Sequence, residues 1–168
     1  MRFIKVFLAG AIGLFLVMTL LSLLIPSRVK VSRTTLINNT TKAKVVEQLA
    51  ILSNWKNWHP ALKAIPENEI QVLSGSSVKI RGTTIAITGR KDDELITEMV
   101  AGEGRPVTSG FKTIRHQGDS STLQWYMDFK LRWYPWEKFR SLFYENIYGV
   151  QMEEGLNNLK QMSIAVRQ

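Results

Sequence analysis

Few residues in this 168-residue chain carry reactive chemistry, and they are scattered. His59 is the titratable group to consider first, because an imidazole exchanges a proton near neutral pH and can act as a general acid or base. It sits between Trp58 and Pro60, where a short helical pattern stops, a position suited to the mouth of a pocket; an ordinary surface histidine fits the same context. Arg33 breaks the apolar face of the first strand, and an inward guanidinium can pair with the acidic head group of a ligand or, structurally, with Asp128 or another acid. Arg115 follows the same logic. Asp92, Asp93 and Glu94 form an acidic turn, which is ordinarily solvated rather than a cation site, and Glu153 and Glu154 fall on the wet side of a helix.

Other chemistries are excluded. There is no cysteine, so disulfides, thiolate metal sites and cysteine nucleophiles are absent. The two histidines, His59 and His116, are far apart and give no basis for a zinc site. Gly102-Glu103-Gly104-Arg105 lacks the third glycine of a dinucleotide fingerprint and runs into Pro106, so it reads as a hairpin turn. No cofactor is called for. The net charge of +8 is spread over the chain without a basic run, which fits a solvated surface and membrane flanks rather than nucleic-acid binding.

The elements that must position these groups lie mostly near the C-terminus. From Leu123 to Trp133 large apolar residues alternate with polar ones, the period of a half-buried strand, and Pro135 ends it. A helical pattern follows: Phe139, Phe143, Ile147 and Val150, then Met152, Leu156, Leu159 and Met162 on a shifted stripe, with a bend expected near Gly149. A helix laid over a curved sheet, both lined with aromatics, is one way to build a pocket. Its expected lining is Trp125, Met127, Phe129, Trp133, Phe139, Phe143 and Ile147, with Arg33 and the pair Trp55 and Trp58, which share one helix face. The competing reading is that these side chains simply fill a core.

Upstream, Val6 to Ile25 is uncharged for 20 residues, enough to span the roughly 30 Å of a bilayer's hydrocarbon. A cleaved signal peptide is the alternative; the length of the run and the absence of an A-x-A-like site favour a retained anchor. Basic residues flank both ends, and the positive-inside rule leans toward a cytoplasmic domain by too small a margin to assign a side. Residues 1–28 thus read as a transmembrane anchor and linker, and residues 29–168 as one soluble domain. That domain runs strand (Val29 to Ile37), two helical pieces around Ala43–Leu52 and Trp55–His59, then short strands at Ile70–Leu73, Val78–Thr88, Leu95–Ala101, Val107–His116 and Leu123–Trp133. The turns between them include Gln117–Ser121, and Gly82 marks a bulge or bend.

This order resembles the helix-grip fold of the START-like (Bet v 1-like) superfamily, and within it the bacterial polyketide cyclase/dehydrase and lipid-transport group, called SRPBCC. The matching residues are the first strand running into Ile37-Asn38, then Trp55-x-x-Trp58-x-Pro60, and Gly149 with Gly155-Leu156-x-x-Leu159-Lys160. The resemblance implies an α+β fold, a curved antiparallel sheet wrapped around a long C-terminal helix, here preceded by one transmembrane helix. It implies a cavity for an apolar ligand such as a lipid, and some members are enzymes. Three functions follow. The first is a module in a bacterial inner membrane, anchored by residues 6–25, that binds a lipid- or quinone-like molecule. On that reading Trp125→Ala or Phe143→Ala weakens binding and spares the fold. The others are a cyclase- or hydrolase-type enzyme using His59, and a packed sensing or interaction domain whose protein partner is unspecified.

Overall fold

In the computed structural model of the protein, which describes residues 2–116 and 120–165, these patterns resolve into one sheet folded against a C-terminal helix. The order is α1 (Arg2–Ser22), β1 (Arg28–Asn38), α2 (Asn39–Ala50), the single helical turns α3 (Trp55–Trp58) and α4 (Pro60–Lys63), and six strands. These are β2 (Ile70–Ser74), β3 (Ser77–Ile80), β4 (Thr83–Arg90), β5 (Glu94–Ala101), β6 (Val107–Arg115) and β7 (Ser120–Lys130). Helix α5 (Pro135–Ser141), a π-helical turn (Glu145–Gly149) and α6 (Val150–Ala165) close the chain. Helix α1 is long and apolar enough to cross a membrane, with mean hydropathy 2.3.

The sheet is antiparallel throughout, in the order β1-β7-β6-β5-β4-β3-β2. Successive hairpins account for every neighbour except β1, which closes against β7 from Arg28↔Lys130 to Asn38↔Ser120. Strand β7 is the one that the period-two pattern marks most clearly. It buries Ser121, Leu123, Trp125, Met127 and Phe129, and turns the alternate residues outward. The expected run Val78–Thr88 is two strands. Arg81 and Gly82 form the two-residue link between Ile80 and Thr83, both with positive φ (46° and 81°), as a type I′ hairpin requires. Of the expected turn Gln117–Ser121, residues 117–119 lie outside the described residues.

The C-terminal segment departs from expectation in two ways. First, the strand ends at Lys130 and the buried series at Leu131, rather than continuing to Trp133. The Leu131 amide donates to the Ser27 carbonyl (2.8 Å), the chain bends, and Pro135 starts α5, leaving Trp133 exposed. Second, the helical stripe of Phe139, Phe143, Ile147 and Val150 is not the buried face. Phe143, Ile147 and Val150 point outward, while Lys138, Ser141, Tyr144 and Gly149 point inward. The π turn adds a residue to one turn and resets the phase, so that Met152, Leu156 and Leu159 then face the core as expected.

Gly155 sets the spacing of α6. A Cβ there would meet the Trp125 ring at 2.9 Å, the Pro60 ring at 3.3 Å and the Trp58 ring at 3.5 Å. Rigid rings cannot swing aside, so the overpacking cost of about 1–3 kcal/mol exceeds the gain of up to about 1 kcal/mol from replacing a helical glycine. Gly155→Ala should therefore lower the urea midpoint, and an unchanged or raised midpoint would show that α6 can lift away freely.

Candidate functional site

One row across the sheet organises the interior. Leu95 pairs with Phe111, Phe111 with Trp125, and Trp125 with Arg33, so these four side chains stand side by side on the face covered by the helices. Helix turns α3 and α4 drop Trp55, Trp58 and His59 onto that row. Trp58 meets Phe111 at 5.7 Å and Trp125 at 5.6 Å, both edge to face, and Trp55 meets Phe111 at 5.5 Å. Such contacts suit the ring quadrupoles and add to the area buried. The indole of Trp55 donates to the Leu49 carbonyl (2.9 Å) and that of Trp125 to the Ser109 hydroxyl (2.9 Å), which fixes both rings.

His59 is not at a mouth. It is only 9% exposed, stacked on Trp55 at 6.0 Å and edge-on to Trp125 at 5.2 Å. The turn that Pro60 begins folds it inward over the row. Its Nδ1 and the nearby Trp58 Nε1 make no hydrogen bond among the described residues. Burial strips water from the charged form and pushes the imidazole down to about 4 from the ordinary 6.5. At neutral pH the ring is uncharged, without the proton a general acid would deliver.

Arg33 does face inward, with a structural partner. Its Nη1 lies 2.8 Å from Glu145 Oε2 and donates to the Ser32 carbonyl at 2.9 Å, while the guanidinium rests against Gly149, where a Cβ would collide with it. Asp128 is taken instead by Arg28, in a forked pair at 2.6 and 2.9 Å. Beyond Arg33 lies a second aromatic group, Phe129 with Tyr144 at 4.6 Å and Tyr148 at 4.8 Å.

Of the expected cavity lining, Trp55, Trp58 and Trp125 come together, and Met127 and Phe129 are buried nearby. Phe139 is half-buried. Trp133 (61% exposed), Phe143 (60%) and Ile147 lie on the outside, for the reasons of strand end and helix phase given above. The space between sheet and C-terminal helix is thus occupied by rings. An open pocket of about 110 Å³ lies beside it, under the end of α2. Its apolar wall is Val46, Leu49, Ala50, Leu95 and Phe111, and its rim the β4–β5 turn from Arg90 to Glu94. A groove of about 430 Å³ continues from it, sharing Asp92, Asp93 and Thr113 and adding Lys42, Lys112 and Arg115.

These pocket residues escaped sequence reasoning. Leu49 and Ala50 fell within the helical piece Ala43–Leu52, and Leu95 and Phe111 within the strand runs Leu95–Ala101 and Val107–His116, which mark elements but not which residues meet. The acidic turn, read as solvated, is the pocket's rim.

The sequence pattern of the family described as polyketide cyclase / dehydrase and lipid transport matches residues 28–163. The chain belongs to that family. Its fold is one that generally binds hydrophobic ligands. Solved structures with the same fold include a START superfamily protein from Mycobacterium smegmatis, with TM-score 0.56 and 14% identity over 82% of this chain and 98% of that one. A hypothetical protein from Helicobacter pylori is similar at TM-score 0.58 and 15% identity, over 80% and 88% of the two chains. A Thermobifida fusca protein gives TM-score 0.59 and 12% identity over 83% and 95%. No curated protein sequence matches significantly.

In this cyclase and lipid-transport family member, His59 should mark the acid limit of stability. The unfolded chain takes up the proton first, so the stability tied to neutral His59 is whole above about pH 6.5 and drains as pH falls toward 4. Between pH 7 and 4 the unfolding free energy of the wild type should fall more than that of His59→Phe, by on the order of 3 kcal/mol. Parallel pH profiles for the two proteins would mean that His59 reaches water.

Proposed function

We propose that this protein is a membrane-tethered binding module for a lipid- or quinone-like amphiphile, whose apolar end enters the pocket under α2. The observation that carries the reading is the pocket itself. It has apolar walls, its floor is Phe111, and the floor packs on the tryptophan cluster. Its 110 Å³ is small beside the roughly 300–1,000 Å³ of ordinary ligand sites, so it suits the end of a chain or ring. The remainder of the ligand would lie in the adjoining groove, where Lys42, Lys112 and Arg115 face Asp92 and Asp93. Burying apolar surface at about 25 cal/mol per Å² supplies the affinity. Helix α1, retained as a single span in a bacterial inner membrane, would hold the module at the membrane surface.

The filled interior supports a second reading, a packed interaction or sensing domain that holds no ligand. An enzyme acting on an apolar substrate is supported less, because His59 touches Trp55, Trp58 and Trp125 rather than the pocket wall. The expectation for Trp125→Ala changes with its position: at 2% exposure its truncation should unfold the domain rather than only weaken binding, and Phe143→Ala acts on an outer surface.

The test is native mass spectrometry of the full chain released from detergent, with Ala50→Trp as the blocking variant. Wild type should retain an apolar adduct near one per chain, and Ala50→Trp should lose at least about tenfold of it while keeping its melting temperature; that loss is about 1.4 kcal/mol of binding. An adduct equally held by Ala50→Trp would move the site elsewhere, and chains empty in both forms would favour the packed interaction domain.

A further inference from the structure

The outward face of α5 and the turns around it is apolar where a soluble surface would be polar. Trp133, Trp136 (62% exposed), Leu142, Phe143, Ile147 and Val150 (63%) all stand in the open. Meanwhile Lys138, on the same helix, is only 4% exposed, and Ser141 is buried with it. Helix α5 is thus turned inside out relative to an ordinary amphipathic helix, in which the apolar stripe faces the core. An exposed apolar patch of this extent marks a contact surface.

What covers this face is indicated by what it is attached to. The Lys138 ammonium donates to the Ile25 carbonyl at 2.6 Å and to the Ser27 hydroxyl at 2.8 Å. Leu131, just before the patch, donates its amide to the Ser27 carbonyl. These are the residues that directly follow the apolar helix. The patch is therefore pinned to the end of α1, which, if α1 spans a bilayer, puts it at the level of the membrane–water boundary. Its composition fits that level. Trp133, Tyr134 and Trp136 form an aromatic ladder, with ring centroids 5.0 and 4.8 Å apart. Indole and phenol rings concentrate at membrane interfaces, where an apolar body and a polar tip are both satisfied. Exposed Lys130, Arg132 and Arg140 edge the patch, and such side chains are drawn to anionic lipid surfaces.

We propose that residues 133–143 form a foot that inserts into the same bilayer leaflet from which α1 emerges, with Trp133, Trp136, Leu142 and Phe143 among the head groups and upper acyl chains. This rests on the reading of α1 as a retained membrane span. The foot gives the domain a second attachment. One span alone would let the domain swivel, whereas a span and a foot fix its orientation on the membrane.

The chain's own tryptophans supply the probe. Trp55, Trp58 and Trp125 are buried in the domain, Trp133 and Trp136 are on the patch, and α1 contains none. The full chain is reconstituted in vesicles of phosphatidylcholine and phosphatidylglycerol carrying bromine near the top of the acyl chains. Flotation and resistance to alkaline extraction first report the anchor. Bromolipid should quench part of the tryptophan emission, and Trp133→Phe/Trp136→Phe should lose nearly all of the quenchable part while floating and melting as wild type does. A chain that floats but is not quenched would overturn the foot and leave the anchor standing. A chain that does not float would overturn both. Tryptophans of the patch shielded from bromolipid and from aqueous acrylamide alike would show a second protein copy on this face, and that too would overturn the proposal.

Discussion

The arrangement of this domain depends on the missing side chain at Gly149. Arg33 stands inward on β1 because it shares a register row with Trp125, and an inward guanidinium needs both room and a counter-charge. The bare backbone at Gly149 gives the room, and Glu145, four residues earlier in the π turn, gives the charge. The widened turn brings both to the same spot. With the guanidinium seated there, the interior falls into two aromatic groups, the tryptophan row on one side and Phe129 with Tyr144 and Tyr148 on the other. The seat also sets how far the C-terminal helix can approach the sheet, as Gly155 does six residues later.

Much of the fold was legible in the sequence because its strands obey a local rule. On β7 the alternation runs unbroken and each inward residue is apolar or small, so face and register follow from spacing. The C-terminal helix was legible in phase over its second half, where Met152, Leu156 and Leu159 face the core, but over its first half only as a helix. The stripe of Phe139, Phe143, Ile147 and Val150 has the spacing of a buried face. The decision is made elsewhere, by the partners of Lys138, which lie 113 and 111 residues away in sequence. No local pattern carries that information, and the π turn erases the phase relation between the two halves of the helix.

The site was legible in the same uneven way. Trp55, Trp58 and Trp125 announce an aromatic interior by type and spacing, and the structure brings them together. That they fill space rather than line it is a matter of packing, which depends on Phe111 arriving from a neighbouring strand. His59 was misplaced because Pro60 starts a new helical turn instead of ending the structure, and that turn carries the imidazole beneath the rings. Arg33 was placed on the correct face, but its partner could be named only once the helix phase was known.

The sheet register also decides how the pocket can be filled. The pocket lies at the level of Phe111 and Thr113, which pair with Trp125 and Leu123, whereas the chain passes from α1 into the sheet at the opposite end, where Arg28 pairs with Lys130. From Leu123 to Lys130 the strand rises about 23 Å at roughly 3.3 Å per residue. If α1 tethers the domain, it does so at the Lys130 end, and the pocket opens away from the tether. On the proposed reading, lateral diffusion within the tethering membrane would not deliver a molecule to that mouth. Loading would then be an exchange with something on the aqueous side, a carrier or a facing membrane, with the height of the sheet as the gap to be crossed.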